Sequence, residues 1–198
     1  MTRTRQRERT RQQILDAISR LVDSGEVDPS VDQIAAEAGV SRATFYRYFG
    51  SPAEGLFQVF TDRSLPSIDE ALAGATAVDD RIGLAADSVN GYLLADPNAT
   101  RAFERAMLDR SLSGTSTPDD RPARRLDFID AALEPIADQL SADDLFLVRH
   151  ALALTMGSSV VPALMDTCGL DRQDAARVAR FAATALARDA WQRSQAMP

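Results

Sequence analysis

Six side chains in the stretch SRATFYRYFG, residues 41–50, have the chemistry to meet a nucleic acid: Arg42, Ala43, Thr44, Tyr46, Arg47 and Tyr48. Arginine can pair bidentately with guanine, alanine and the threonine methyl can touch a thymine methyl, and tyrosine and threonine hydroxyls can bond phosphate. At helical spacing Phe45 and Phe49 fall one turn apart on one side, with Ala43, Thr44, Tyr46 and Arg47 opposite them and Arg42 and Tyr48 on the flanks. The two phenylalanines are therefore expected to anchor a helix that offers its other residues outward.

The elements that must position this helix are legible around it. Ile14, Leu15, Ile18, Leu21 and Val22 repeat at helical spacing and Gly25 supplies a stop, which predicts a first helix over about 7–24. Asp28-Pro29-Ser30 makes a turn, and Ser30 with Gln33 has the spacing of a capping box at the head of a second helix, 31–38. Gly39 can adopt the left-handed conformation that ends this helix, and Ser41 can cap the next one two residues later. Two helices joined so tightly form the helix-turn-helix geometry, whose latter helix enters a major groove.

Charge is placed to match. The chain as a whole carries −7, but residues 1–50 hold eight arginines against seven acids, and residues 1–11 hold five arginines against Glu8 alone. A run of this kind, with Arg5, Arg7 and Arg9 at its centre, is either a solvated terminus or an arm along the DNA backbone or into a minor groove. All 22 basic residues are arginine.

With these features in place, the stretch SVDQIAAEAGVSRATFYRYFGS, residues 30–51, resembles the DNA-binding signature of the TetR family of bacterial transcriptional regulators. The resemblance implies that Arg42, Ala43 and Tyr46 read or touch base edges and that Ser41, Thr44 and Tyr48 hold phosphates, with Arg47 a further candidate. Ser30 and, from the charge run, Arg5, Arg7 and Arg9 complete the expected DNA-binding set. One departure is plain: where the family usually places a phosphate-binding lysine at the start of the fourth helix, this chain has Pro52-Ala53-Glu54. Pro52 suits a first helical turn, but the cation is missing. The resemblance also implies a C-terminal domain that binds a small molecule and dimerises through its last two helices.

The remainder predicts helices over roughly 51–63 (running on toward 74), 79–96, 98–112, 121–140, 142–166 and 171–195, with no alternating strand pattern and a loop at 114–120 suited to disorder. The expected fold is all-α: a DNA-binding domain over 1–50 and a ligand-binding and dimerisation domain over 51–198. Phe103, Met107, Phe128, Phe146 and Met156 could line a cavity, or be plain core, and His150 is the one polar group among them. Pro135 and Pro162 are expected to bend their helices and free the carbonyls of Ala131 and Ser158. The uncharged run 151–165 and the alanines of 175–187 suit close helix packing, within the chain or against a second copy.

Other chemistries find little support. One histidine excludes histidine-rich metal sites, and the pairs Asp79-Asp80, Asp119-Asp120 and Asp143-Asp144 sit where helix caps belong. There is no glycine-rich phosphate loop and no nucleophile elbow, so neither catalytic residues nor a cofactor nor a metal is expected. Cys168 is the only cysteine, no apolar run is long enough to span a bilayer, and the first twenty residues are no secretory signal, which together read as a cytoplasmic chain. The expectation is a homodimeric regulator that binds a palindromic double-stranded DNA operator and, as a repressor, is released by a small, largely apolar effector. A regulator that acts without an effector, by binding DNA or recruiting a protein, is the alternative, and a helical enzyme the third reading.

Overall fold

The computed structural model describes residues 3–62, 66–114 and 124–196, and among these every regular element is a helix. They fall into two compact units, one within Met1–Ser64 plus Pro97–Arg121, the other within Leu65–Asp96 plus Pro122–Pro198.

The first unit contains α1 (Arg3–Asp23), α2 (Val31–Ala38), α3 (Arg42–Tyr46), α4 (Pro52–Asp62) and α7 (Pro97–Leu112). Its core joins Ile14 and Ile18 of α1, Ile34 of α2, Phe45, Phe49 and Leu56 to Ala99, Ala102 and Ala106 of α7. Crossing of α1 and α4 is close enough that a Cβ at Gly55 would lie 2.5 Å from Ile18 Cδ1. Phe103 stacks against Phe57 and Phe60 of α4, with ring centroids 6.0 and 4.0 Å away. The helix that carries this layer is thus part of the head's own core.

The structure differs from expectation at the N-terminus. Helix α1 begins at Arg3, four residues before the expected start, so the arginine run is itself helical. Arginine, glutamine and glutamate are good helix formers, no glycine or proline interrupts them, and side chains bond along the turn from Gln12 to Asp16 at 2.9 Å.

The second unit contains α5 (Ile68–Ala71), α6 (Val78–Ala95), α8 (Arg124–Leu133), α9 (Ala142–Thr155) and α10 (Arg172–Ala196). Ala175, Ala179, Ala183, Ala187 and Ala190 form a fully buried ladder along α10, which packs on α6 and α9. The small face of the last helix is therefore spent inside the chain. Ion pairs from Arg180 to Asp87 and from Arg188 to Asp79 fix α10 to α6.

Both prolines act earlier than expected. A 3-10 turn, Glu134–Gln139, takes over before Pro135, and the Ala131 carbonyl receives the Arg81 guanidinium at 2.8 Å. Helix α9 stops at Thr155, ahead of Pro162, which instead opens a π-helical turn, Val161–Thr167. Between them Gly157 takes φ 128°, where a Cβ would come 2.5 Å from the Arg125 guanidinium. The Ser158 carbonyl accepts the Val161 N–H at 3.3 Å within this turn. Helix α4 is described to Asp62 and α5 is separate from it; residues 63–65, most of the expected 114–120 loop, Asp119-Asp120 and the start of the helix expected at 121 lie outside the described residues.

Candidate nucleic-acid interface

Both helices of the helix-turn-helix start on a serine side-chain cap. At the head of α2 the Ser30 hydroxyl accepts the Gln33 N–H at 3.2 Å, and the Gln33 side-chain oxygen accepts the Ser30 N–H at 2.9 Å. Gly39 ends α2 in the left-handed conformation, φ 65°, with its N–H on the Ala36 carbonyl and that of Val40 on the Ala35 carbonyl. Gln13 of α1 donates to the Ala38 carbonyl at 2.7 Å, and Arg20 pairs with Glu37 at 2.6 Å. The turn is thereby held from α1 as well as from within.

Ser41 then caps α3, accepting the Thr44 N–H at 3.1 Å, while its hydroxyl lies 3.0 Å from that of Thr44. Regular helix lasts only from Arg42 to Tyr46, shorter than the sequence pattern suggested. Beyond it the chain tightens, with the Tyr48 N–H on the Phe45 carbonyl three residues back. Phe45 is fully buried and Phe49 nearly so, with ring centroids 5.7 Å apart. Their burial leaves Arg42, Ala43, Tyr46 and Arg47 exposed on the far side, Tyr46 by 51%, and Thr44 and Tyr48 half-buried.

Two guanidiniums on this surface are positioned by neighbours. Arg42 pairs with Asp32 of α2 at 3.2 Å, and the Arg47 guanidinium lies 5.4 Å from the Tyr48 ring centre. Arg5, Arg7 and Arg9 are exposed along the first turns of α1, and Arg11, a turn beyond Arg7 on the same side, lies 5.6 Å over Phe49. At the start of α4, where the expected lysine is missing, Glu54 accepts the Gly50 N–H at 2.7 Å and donates its own N–H to the Ser51 hydroxyl at 3.2 Å. An anion stands at this helix start. Asp32 and Gln13 were invisible to the motif reading, because each acts through a partner on another element.

The expected ligand-binding residues are placed unevenly. Phe103, buried in its aromatic stack, and half-buried Met107 belong to the unit of the helix-turn-helix. Phe128 and Met156 are core residues of the second unit. Phe146 is 59% exposed on α9 with the exposed His150 one turn on, the His150 Nδ1 lying 2.7 Å from the Phe146 carbonyl. Among the described residues, Phe146 therefore lines no enclosed cavity. Among the described residues, no cluster of three metal-ligating side chains occurs, and no helix is long and apolar enough to cross a membrane.

Comparisons with known proteins agree with this geometry. Residues 14–57 match the family model described as bacterial regulatory proteins, tetR family. No curated protein matches the chain. Among solved structures, the fatty acid degradation regulator FadR from Bacillus halodurans is similar with TM-score 0.62 at 20% identity, covering 86% of this chain and 92% of that one. A protein assigned to the TetR-family transcriptional regulators, from Mesorhizobium loti, is similar with TM-score 0.62 at 17% identity, covering 94% and 97%. At such identities the likeness is one of fold, whereas the matched segment runs from the second half of α1 to the first half of α4 and takes in the whole of the helix-turn-helix. Through residues 14–57 the chain carries the helix-turn-helix DNA-binding domain of the tetR family of bacterial regulatory proteins.

Proposed function

We propose that the chain is a cytoplasmic homodimeric repressor that leaves a palindromic operator when a small, largely apolar effector binds, with residues 1–50 meeting DNA and residues 51–198 serving ligand and dimer. The observation that carries DNA reading is the exposed face Arg42, Ala43, Tyr46, Arg47, held outward by the burial of Phe45 and Phe49. One such head spans only a few base pairs, so two heads about 34 Å apart, or a multiple of this, are needed for a palindrome. A surface for the second copy is offered by α9 and α10, where Phe146, Leu147, Leu154, Val178 and Phe181 stand in solvent. The effector acts by population shift, binding best a state whose head spacing no longer fits the operator.

The test is salt-dependent binding to the DNA upstream of the chain's own gene beside a random duplex of equal length. A palindromic footprint that survives physiological salt supports the proposal; equal binding to both duplexes that vanishes with salt refutes operator reading. In the same assay, Arg42→Ala is expected to cost about 1–3 kcal/mol on the operator and little on random DNA. Equal losses on both would remove Arg42 from base reading.

The helical arginines can be ranked as well. Arg7 shares a side of α1 with Arg11, which lies over Phe49, whereas Arg5 and Arg9 lie nearly opposite. Arg7→Ala is therefore expected to weaken all DNA alike and flatten the salt slope by about one unit, with Arg9→Ala having the smaller effect. Equal slopes for the two variants would contradict this placement.

A further inference from the structure

We propose that a cleft in the unit of the helix-turn-helix binds a small carboxylate with an apolar body; the assignment deepens the effector-released regulator reading and rests on it. The cleft measures about 230 Å³ and lies among the α1–α2 loop, the first turns of α4 and the C-terminal half of α7. Leu56 and Ala106 give it apolar walls, and Asp28, Arg105, Asp109 and Arg110 give it a charged rim. Its volume is below the roughly 300–1,000 Å³ of drug-sized sites, which favours a ligand of benzoate or hexanoate size.

The sign of the ligand's charge follows from which rim group can yield. Arg105 pairs with Asp28 at 2.8 Å and approaches Asp109, one turn along α7, at 3.9 Å. Asp28 sits on a loop with its side chain half exposed, so it can return to water at little cost, while Arg105 stays on its helix beside Asp109. An incoming carboxylate can take Asp28's place on the Arg105 fork. A cation would instead have to displace Arg105 from two acids. Arg110, its guanidinium 4.5 Å over the Phe57 ring, also lines the cleft.

Occupancy would reach the DNA surface through Asp28. The residue lies two before Ser30, the cap of α2, and its N–H donates to Glu26, which also receives the Gln33 side chain. Asp28–Arg105 is thus a tie from α7 to the entry of the helix-turn-helix, and a carboxylate on Arg105 releases it.

The experiment is calorimetric titration of the full chain, without DNA, with benzoate and hexanoate, using benzyl alcohol and benzylamine as controls. One saturable site per chain for the carboxylates, absent for the controls, is expected. Arg105→Gln should weaken binding by about tenfold or more, since a charge-assisted pair is lost. Asp28→Asn should strengthen it several-fold, because a built-in competitor is removed. Opposite signs from the two halves of one ion pair are what general loosening of the fold cannot produce, and circular dichroism checks that both variants remain helical. Absence of carboxylate binding, equal binding of benzylamine, or a change of the same sign in both variants overturns the proposal. Should carboxylates fail while the upstream DNA is still selected, the cleft assignment falls and the regulator reading stands. Should the variants behave as expected while DNA is not selected, the regulator reading falls alone.

Discussion

For the proposed homodimer, replacing Phe181 by arginine is expected to leave a folded chain that no longer dimerises and binds operator DNA weakly. Phe181 is 74% exposed at the middle of α10, so the helix loses almost no internal packing, which rests on the alanine ladder opposite. In a dimer built on this face, however, an unpaired guanidinium would be buried against apolar groups from the second copy. Loss of the dimer turns two linked heads into independent ones, which removes an avidity gain on the order of 10²–10⁴. Analytical ultracentrifugation and operator titration of the same preparation check the expectation. A variant that sediments as a dimer with undiminished operator affinity would exclude this face as the interface.

The second large effect is expected inside the second unit. Asn90 is 1% exposed, donates to the Thr155 carbonyl at 2.9 Å and accepts the Gly157 N–H at 3.0 Å. One amide thereby closes both sides of the break at which α9 ends. Asn90→Leu keeps much of the volume but leaves a buried carbonyl and a buried N–H without partners, costing about 2–5 kcal/mol in all. For a chain of this size that corresponds to a fall of roughly 5–15 °C in the thermal midpoint. A midpoint within a degree or two of the parent would show that water or a shifted backbone replaces the amide.

Asn90 also marks where sequence reading stops. The capping box of Ser30 and Gln33, the left-handed Gly39, the Ser41 cap and the buried pair Phe45 and Phe49 were legible because each is a local pattern with a local cause. Asn90 and Gly157 meet across 67 positions, and Arg105 and Asp28 across a comparable stretch, and no periodicity encodes such pairings. Pro135 and Pro162 announced irregular backbone correctly, yet where each helix would stop depended on partners from elsewhere, Arg81 in one case and Asn90 in the other. The alanines of α10 show the complementary ambiguity. Their spacing spoke for close packing but not for the side chain's partner, and the structure pairs them with this chain's own helices while larger residues face out.

The seating of α7 in the core of the first unit bears on how the protein is made. Ile14, Ile18, Phe45 and Leu56 leave the ribosome well before Ala99, Ala102 and Ala106, which complete their hydrophobic cluster. At about 5–20 residues per second, the roughly 40 positions from Asp62 to Ala102 take about 2–8 s to translate. During that interval the nascent head has an open apolar flank, and its recognition surface gains full support only once a segment from the middle of the chain has been synthesised and folded back.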